Sequence, residues 1–395
     1  MMKLSFATGL IASLMLAGNL LAAEANPGFA PKNPPAMKPL AGRDTPAWHA
    51  AKLFQHGANL GNYLEAPPGQ NWGVTVSADE FATMKREGFD HLRVPVGWHH
   101  YAGAAPDFTL TPEIFAKADF CVTNALNNGL AVMINIHHFN ELDENPAGTT
   151  DEFLKIWQQI AAHYQNFPAK LAFELDNEPH DQATTAVMNP IYARAIAEIR
   201  QTNPTRTLFV EPGHWGAVDE LNHLVLPPDD SVIVSVHCYD PMLFTHQGAS
   251  WVGENFQQTG IVFPGPPAKP LTPDAKYHLP PWVLDWLAKY NTLPTTNNPC
   301  SSQAFAGKLR FARAWSDYYG RPVHIGEFGA FTKADDQSRA NFYSTFRRTA
   351  EKLHLGWCIW DWSAGFRYWD KQNQRAMPGL PAALFGPKDL NHGAK

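Results

Sequence analysis

Leu171-Ala172-Phe173-Glu174-Leu175-Asp176-Asn177-Glu178-Pro179 is a short apolar run that closes on a carboxylate and a proline. Runs of this length read as strands buried on both faces, the kind that builds parallel sheets. Pro322-Val323-His324-Ile325-Gly326-Glu327-Phe328-Gly329 repeats the arrangement further along the chain. Parallel α/β proteins place their chemistry at the carboxyl ends of strands, so Glu178 and Glu327 are the first candidates for a site.

Working outward, strand-like runs also occur at Phe54 to Leu60, His91 to Val96, Ala131 to Ile136, Thr207 to Val210, Ser231 to Val236 and Gly356 to Trp360. With Leu171 to Leu175 and Pro322 to Ile325 they make eight. Between most of them lie helical stretches with start signals. Ser77-Ala78-Asp79-Glu80 and Thr149-Thr150-Asp151-Glu152 fit capping boxes, and Thr111-Pro112 fits an N-cap followed by proline. Helical spacing of apolar residues marks Phe153 to Phe167, Ile191 to Gln201, Gln303 to Tyr319 and Gln337 to Leu353. Eight strands with crossover helices predict an α/β fold, the (β/α)8 TIM barrel. The alternative is an open doubly wound sheet, but no Gly-x-Gly-x-x-Gly turn follows the first strand.

One connection breaks the rhythm. From about Phe244 to Cys300, after strand six, the chain is dense in Pro, Trp, Gly and Asn, with a short helical candidate near Trp282 to Tyr290. A loop of this length is expected to be a substrate-facing subdomain or a decorative insertion.

The 395 residues are 45% hydrophobic, enough for one large barrel or two ordinary domains. Lys and Arg total 31 against 37 Asp and Glu and are scattered, which argues against a nucleic-acid surface. The 13 Trp supply what sugar-stacking surfaces require, although Trp also fills cores. Met1-Met2-Lys3, an apolar stretch to Leu21 and Ala22-Ala23-Glu24-Ala25 read as a secretory signal over residues 1–25, with an uncleaved anchor as the alternative. A Pro-rich arm, extended or poorly ordered, is expected over 26–46, and a single catalytic domain over 47–395. Cys121, Cys238, Cys300 and Cys358 allow three disulfide connectivities in an exported protein. Cys238 and Cys358 fall in strands, where a buried thiol is the simpler reading.

Strand side chains alternate, so residues two apart share a face. His237 and Tyr239 share one while Cys238 points away, and Asn135 and His137 share one while His138 diverges. If those faces point inward, Arg93, His137, Glu178, His237, Tyr239, Glu327 and Trp360 converge on one mouth. Each alone has a core reading; together they describe a site. Paired carboxylates of this kind suit glycosidic bond hydrolysis, one giving a proton to the leaving oxygen and one acting at the anomeric carbon. His137-His138 also invites a metal reading, but the spacing offers no third ligand, so no metal and no cofactor are expected.

The chain resembles glycoside hydrolase family 5, the cellulase family of the clan whose barrels carry two glutamates after strands four and seven. The likeness runs from about Phe54 to Leu384. It rests on Asn59-Leu60-Gly61-Asn62-Tyr63-Leu64-Glu65-Ala66-Pro67, Leu92-Arg93-Val94-Pro95, Ile134-Asn135-Ile136-His137-His138, Asn177-Glu178-Pro179-His180, His237-Cys238-Tyr239, Phe244 to Trp251, Ile325-Gly326-Glu327-Phe328-Gly329 and Trp360 to Phe366. Asp176, before Asn177, stands where an apolar residue is common in similar sequences, and Cys238 where a bulkier one is.

The resemblance implies that Glu178 is the general acid/base and Glu327 the nucleophile of a retaining, two-step displacement. It implies that Arg93 and Tyr239 keep Glu327 ionised, that Asn177 binds the sugar 2-hydroxyl and that His237 adjusts Glu178. It further implies that His137 orders the site and that Trp360 is the platform beneath the sugar. Retention calls for carboxyls about 5–5.5 Å apart. His138, Asn62, Glu65, His246, Trp251 and Trp215 are candidate subsite contacts, with support of the rim as the alternative. The expected protein is a secreted or periplasmic endo-β-1,4-glucanase, monomeric, acting on β-glucan, with no nucleic-acid partner and no membrane association after signal cleavage. Its rivals are a β-mannanase, a mixed β-glucan or xyloglucan hydrolase, and a non-catalytic carbohydrate-binding barrel.

Overall fold

The computed structural model describes residues 37–386; the signal segment and most of the Pro-rich arm lie outside the described residues. Eight strands close into one parallel barrel in chain order. They are β1 His56–Asn59, β2 His91–Val94, β3 Ala131–Asn135, β4 Leu171–Glu174, β5 Leu208–Val210, β6 Val232–His237, β7 Val323–Phe328 and β8 Gly356–Ile359. Each of the eight expected runs becomes a strand, and the closed order excludes the open sheet. All of their residues are buried except His56, which is partly so, as expected for strands covered by helices outside and side chains within.

The helices start largely where the sequence signals them. Ser77 and Glu80 form a capping box at Ala78–Glu87, and Thr111 stands at the N-cap position of Pro112–Asn127, with proline first in the helix and no side-chain capping bond. The Thr149 box is a correction: the helix spans Pro146–His163, begins earlier, and is capped by the Asn145 side chain accepting from Gly148 N. Asn145-Pro146 is itself a cap followed by proline at the first position, and it takes precedence over the later Thr-x-x-Glu pattern.

The described part of the arm is docked. Met37 is buried and accepts from Leu226 N, and Leu40 N donates to Tyr319 O at 3.0 Å. The helix Pro46–Ala51 then covers the amino-terminal end of the barrel. There Ala47, Phe54, Ala131, Met133, Ala172, Phe209 and Ile233 form an apolar plug. Above the plug the interior turns polar, because the inward positions of the strands become Asn59, Arg93, Asn135, Glu174 and Ser235, all fully buried. Arg93, Asn59, Asn135 and one oxygen of Glu174 are hydrogen-bonded to one another, while Glu174 Oε1 and Ser235 Oγ find no protein partner, and it is the bonds made that orient the site above.

The insertion after β6 contains the helix Pro281–Thr292 and several single turns. Only its first part approaches the strand ends. From Val252 on it turns outward: Phe263 N donates to Ser338 Oγ at 3.0 Å, Asn341 Nδ2 to Phe263 O at 3.0 Å, and Phe244 and Phe263 pack on Phe342 of the helix Asp336–Lys352. These contacts tie the segment to the helix Asp336–Lys352 and leave both expectations for it, a substrate-facing subdomain or a decorative insertion, in place. The four cysteines are free and buried. No helix among the described residues is long and apolar enough to cross a membrane.

Candidate active site

Arg93 is the centre of the carboxyl-end network. Its Nε donates to Glu174 Oε2 at 2.6 Å, Nη1 to Asn59 Oδ1 at 2.9 Å and to Glu327 Oε1 at 2.7 Å, and Nη2 to Asn177 Oδ1 at 2.7 Å and Glu211 Oε1 at 3.2 Å. A buried guanidinium is costly unless its donors are all used, and here every nitrogen is engaged. Burial opposes its charge, but attraction to Glu174, Glu327 and Glu211 outweighs burial and raises its pKa. Burial pushes Glu174 up to about 7 despite Arg93.

Glu327 accepts at both oxygens, from Arg93 and from the Tyr239 hydroxyl at 2.6 Å, the pattern of an ionised carboxylate. Burial outweighs the pull of His237 and Arg93, so its pKa stands above the ordinary value. Glu178 receives His237 Nδ1 at 2.7 Å, while His237 Nε2 lies 3.0 Å from Glu211 Oε1. Burial opposes the His237 charge, yet Glu211, Glu327 and Glu178 raise it well above the histidine range. Burial likewise opposes the Glu178 charge, and the His237 bond and charge overcome it, leaving Glu178 lowered. These opposite shifts favour the proton on the histidine side of the pair. Three carboxylates around one imidazole are the reason.

Local backbone makes this geometry. Between β6 and β7 the register slips, so that Val236 faces Ile325 but His237 faces Glu327, skipping Gly326. The slip aims both side chains inward. A Cβ on Gly326 would stand 2.4 Å from Ser235 Oγ and 2.9 Å from His237 Nε2. Glu178 takes a positive φ of 53°, leaving the strand direction at the turn into Pro179. As a result, one atom each of Glu178, His237 and Glu327 come within 4.8 Å of one another.

The remaining expected residues fall in two groups. The His137 ring lies parallel to Trp360, at 5.8 Å and 2°. His138 and Asn62 both have positive φ in the loops above, and Trp215 stacks on His180 at 5.0 Å. Trp251 is 50% exposed and meets Phe331 edge-on at 4.9 Å. His246, by contrast, is buried edge-on against Tyr239 at 4.9 Å, with Nδ1 3.1 Å from Thr245 Oγ1.

Glu65 is wholly buried, with Oε1 unpartnered, 3.6 Å from His137 Nε2 and 3.9 Å from His138 Nε2. Burial drives its pKa well up. This trio is a carboxylate and two imidazoles, so its fitness for a metal can be read from its protons. Asn135 Oδ1 accepts from Val96 N, leaving Nδ2 to donate to Glu174 and to His137 Nδ1 at 3.2 Å. The His137 proton is thereby placed on Nε2, which faces Glu65 as a donor and not as a metal ligand. In the second trio, Glu178, His237 and Glu327, both His237 nitrogens already face carboxylates, Nδ1 at 2.7 Å from Glu178 and Nε2 at 3.0 Å from Glu211.

Sequence reasoning missed Glu174, Glu211 and Trp72. Glu211 joins Arg93, His237 and, at 2.9 Å, the backbone N of Glu178. Its signal was present, because Val210-Glu211-Pro212-Gly213 repeats the strand-end carboxylate and proline of Glu178-Pro179. Trp72, 42% exposed, lies 6.2 Å from the His138 ring.

A family model described as cellulase, glycosyl hydrolase family 5, matches residues 54–365. Among curated relatives, Endoglucanase H of Acetivibrio thermocellus is 27% identical over 83% of this chain, and the chain spans 31% of that enzyme's length. A solved structure named endoglucanase is 30% identical with a TM-score of 0.75, covering 86% of this chain and 100% of its own. Thermotoga maritima Cel5A, solved with mannotriose and with cellobiose, is 32% identical with a TM-score of 0.74, covering 86% of this chain and 99% of its own.

Proposed function

We propose that this chain, which belongs to glycosyl hydrolase family 5, is an endo-acting β-1,4-glucanase that cleaves with retention of configuration. The observation that carries the reading is the pair of carboxylates, an oxygen of each within 4.8 Å, in different company: Glu327 under Arg93 and Tyr239, Glu178 against His237. Such closeness suits retention, at about 5–5.5 Å, better than inversion at about 6.5–9.5 Å.

In the first step a Glu327 oxygen attacks the anomeric carbon while Glu178 gives its proton to the departing oxygen. A bound sugar removes water from Glu178, whose side chain is 22% exposed when free. Drying disfavours the charged His237–Glu178 pair, so the proton passes along the 2.7 Å bond to Glu178. Asn177 uses its carbonyl on Arg93, which leaves its amide NH2 for the sugar 2-hydroxyl. Once Glu327 is an ester its negative charge is gone, Glu178 is more readily ionised, and it takes a proton from the water that releases the sugar. Trp360, beside His137, lies beneath the sugar; His138, Asn62, Trp251 and Trp215 line the subsites, with Glu65 buried beneath His137 and His138.

The same reading takes residues 1–25 as a secretory signal and 26–46 as an arm, and places a monomeric catalytic domain outside the cytoplasm, secreted or periplasmic. A second reading, a β-mannanase with the same mechanism, is favoured by the mannotriose complex of a similar structure. Reducing-sugar release from carboxymethyl-cellulose, mixed-linkage glucan, xyloglucan, xylan and mannan decides. Fastest cleavage of the β-1,4-glucans is expected; mannan cut faster than every glucan selects the second reading, and no cleavage of any overturns both.

A further inference from the structure

Behind Glu178 lies a carboxyl group that the proposed mechanism does not use. Asp143 belongs to the short helix Asn140–Glu144 after β3, and only 5% of its side chain is exposed. It reaches across to the turn after β4. Oδ1 accepts from His180 N at 3.0 Å, Oδ2 lies 3.4 Å from His180 Nδ1, and its own carbonyl accepts from Gln182 N at 3.0 Å. His180 Nδ1 in turn donates to the Glu178 carbonyl at 2.8 Å. The turn between them carries Glu178 at positive φ, a conformation a glutamate adopts only when its surroundings impose it. The outer face of His180 carries Trp215, whose N donates to Pro179 O at 3.1 Å.

We propose that Asp143 is a positioning residue for Glu178: its carboxyl, held by the loop after β3, clamps the His180 peptide and so fixes the turn from which Glu178 reaches the leaving oxygen. A proton donor must meet its acceptor within hydrogen-bond reach, so a turn that relaxes by an ångström loses acid catalysis while leaving the sugar platforms in place. The clamp is an ion-dipole bond between a buried carboxyl and a peptide N–H, and it needs an acceptor oxygen more than it needs charge. Burial holds the Asp143 carboxyl up to about 7, with His180 opposing that rise and Asp181 and Glu178 adding to it; Asp176 and Tyr192 complete the titratable groups around it.

The inference rests on Glu178 being the acid, and the test separates the two. For wild type, D143N and D143A, kcat/KM is measured on two cellobiosides, one with a poor leaving group that needs protonation and one with a dinitrophenolate that does not. D143A is expected to lose about 100-fold on the poor leaving group and less than about 3-fold on the activated one, with KM little changed. D143N, which keeps an acceptor oxygen for His180 N, is expected to restore most of the loss. Equal losses on both substrates, or no loss on either, overturn the positioning role. If E178Q itself shows no difference between the leaving groups, it is the acid assignment that fails. Circular dichroism and thermal melting on each variant establish that it is folded; if D143A is not, D143N and D143S carry the same comparison.

Discussion

His237 Nδ1 and Glu178 Oε1, 2.7 Å apart, hold one proton between two groups, and neither titrates alone. Loss of that proton from the resting pair follows the raised value of His237, so the alkaline limb of kcat/KM reports the pair. In H237N the proton rests on Glu178 alone, a carboxyl without its cation, and the limb is expected to move to lower pH. A limb that stays in place contradicts the shared proton. Arg93 shows why single residues mislead: a lone buried arginine reads equally well as a structural ion pair, and only its five partners, Glu327 and Asn177 among them, reveal it as the centre of the strand-end network.

At the scale of elements, the eight strands were legible because each is an apolar run closed by turn residues. The two glutamates were legible because they end such runs. The slip between β6 and β7 was not, since strict alternation sets His237 and Glu327 in register only if Gly326 is skipped. The outward course of the insertion was equally hidden, because its anchors, Ser338 and Asn341, lie on a helix read only as an amphipathic spacer. Gly326 offers the test of the slip. A methyl group there meets Ser235 and His237, and moving His237 by even part of an ångström misplaces both its carboxylate partners. G326A is expected to cost about 100-fold in kcat with the far-ultraviolet circular dichroism of wild type. Activity within 3-fold of wild type, by the same standard of about 100-fold, shows that the β6–β7 spacing has slack.

The whole molecule separates stability from chemistry along the barrel axis. The amino-terminal end is an apolar plug under the helix Pro46–Ala51, and the carboxyl end is a hydrogen-bonded polar layer. Phe54, fully buried between His91 and Phe209, belongs to the plug. F54A is expected to lower stability by about 3–5 kcal/mol in denaturant unfolding while kcat, measured well below the melting temperature, stays near wild type. A large fall in kcat with stability retained would mean that the two ends are coupled.

In the proposed mechanism Glu327, and not Glu178, bonds covalently to the sugar. A 2-deoxy-2-fluoro-cellobioside with a dinitrophenolate leaving group forms the ester quickly and releases it slowly, so the intermediate accumulates. After peptic digestion, mass spectrometry of the trapped protein is expected to find one fluorosugar on Glu327, and none in E327Q. A label on Glu178, or steady turnover of the unmodified glycoside with no label anywhere, contradicts the account.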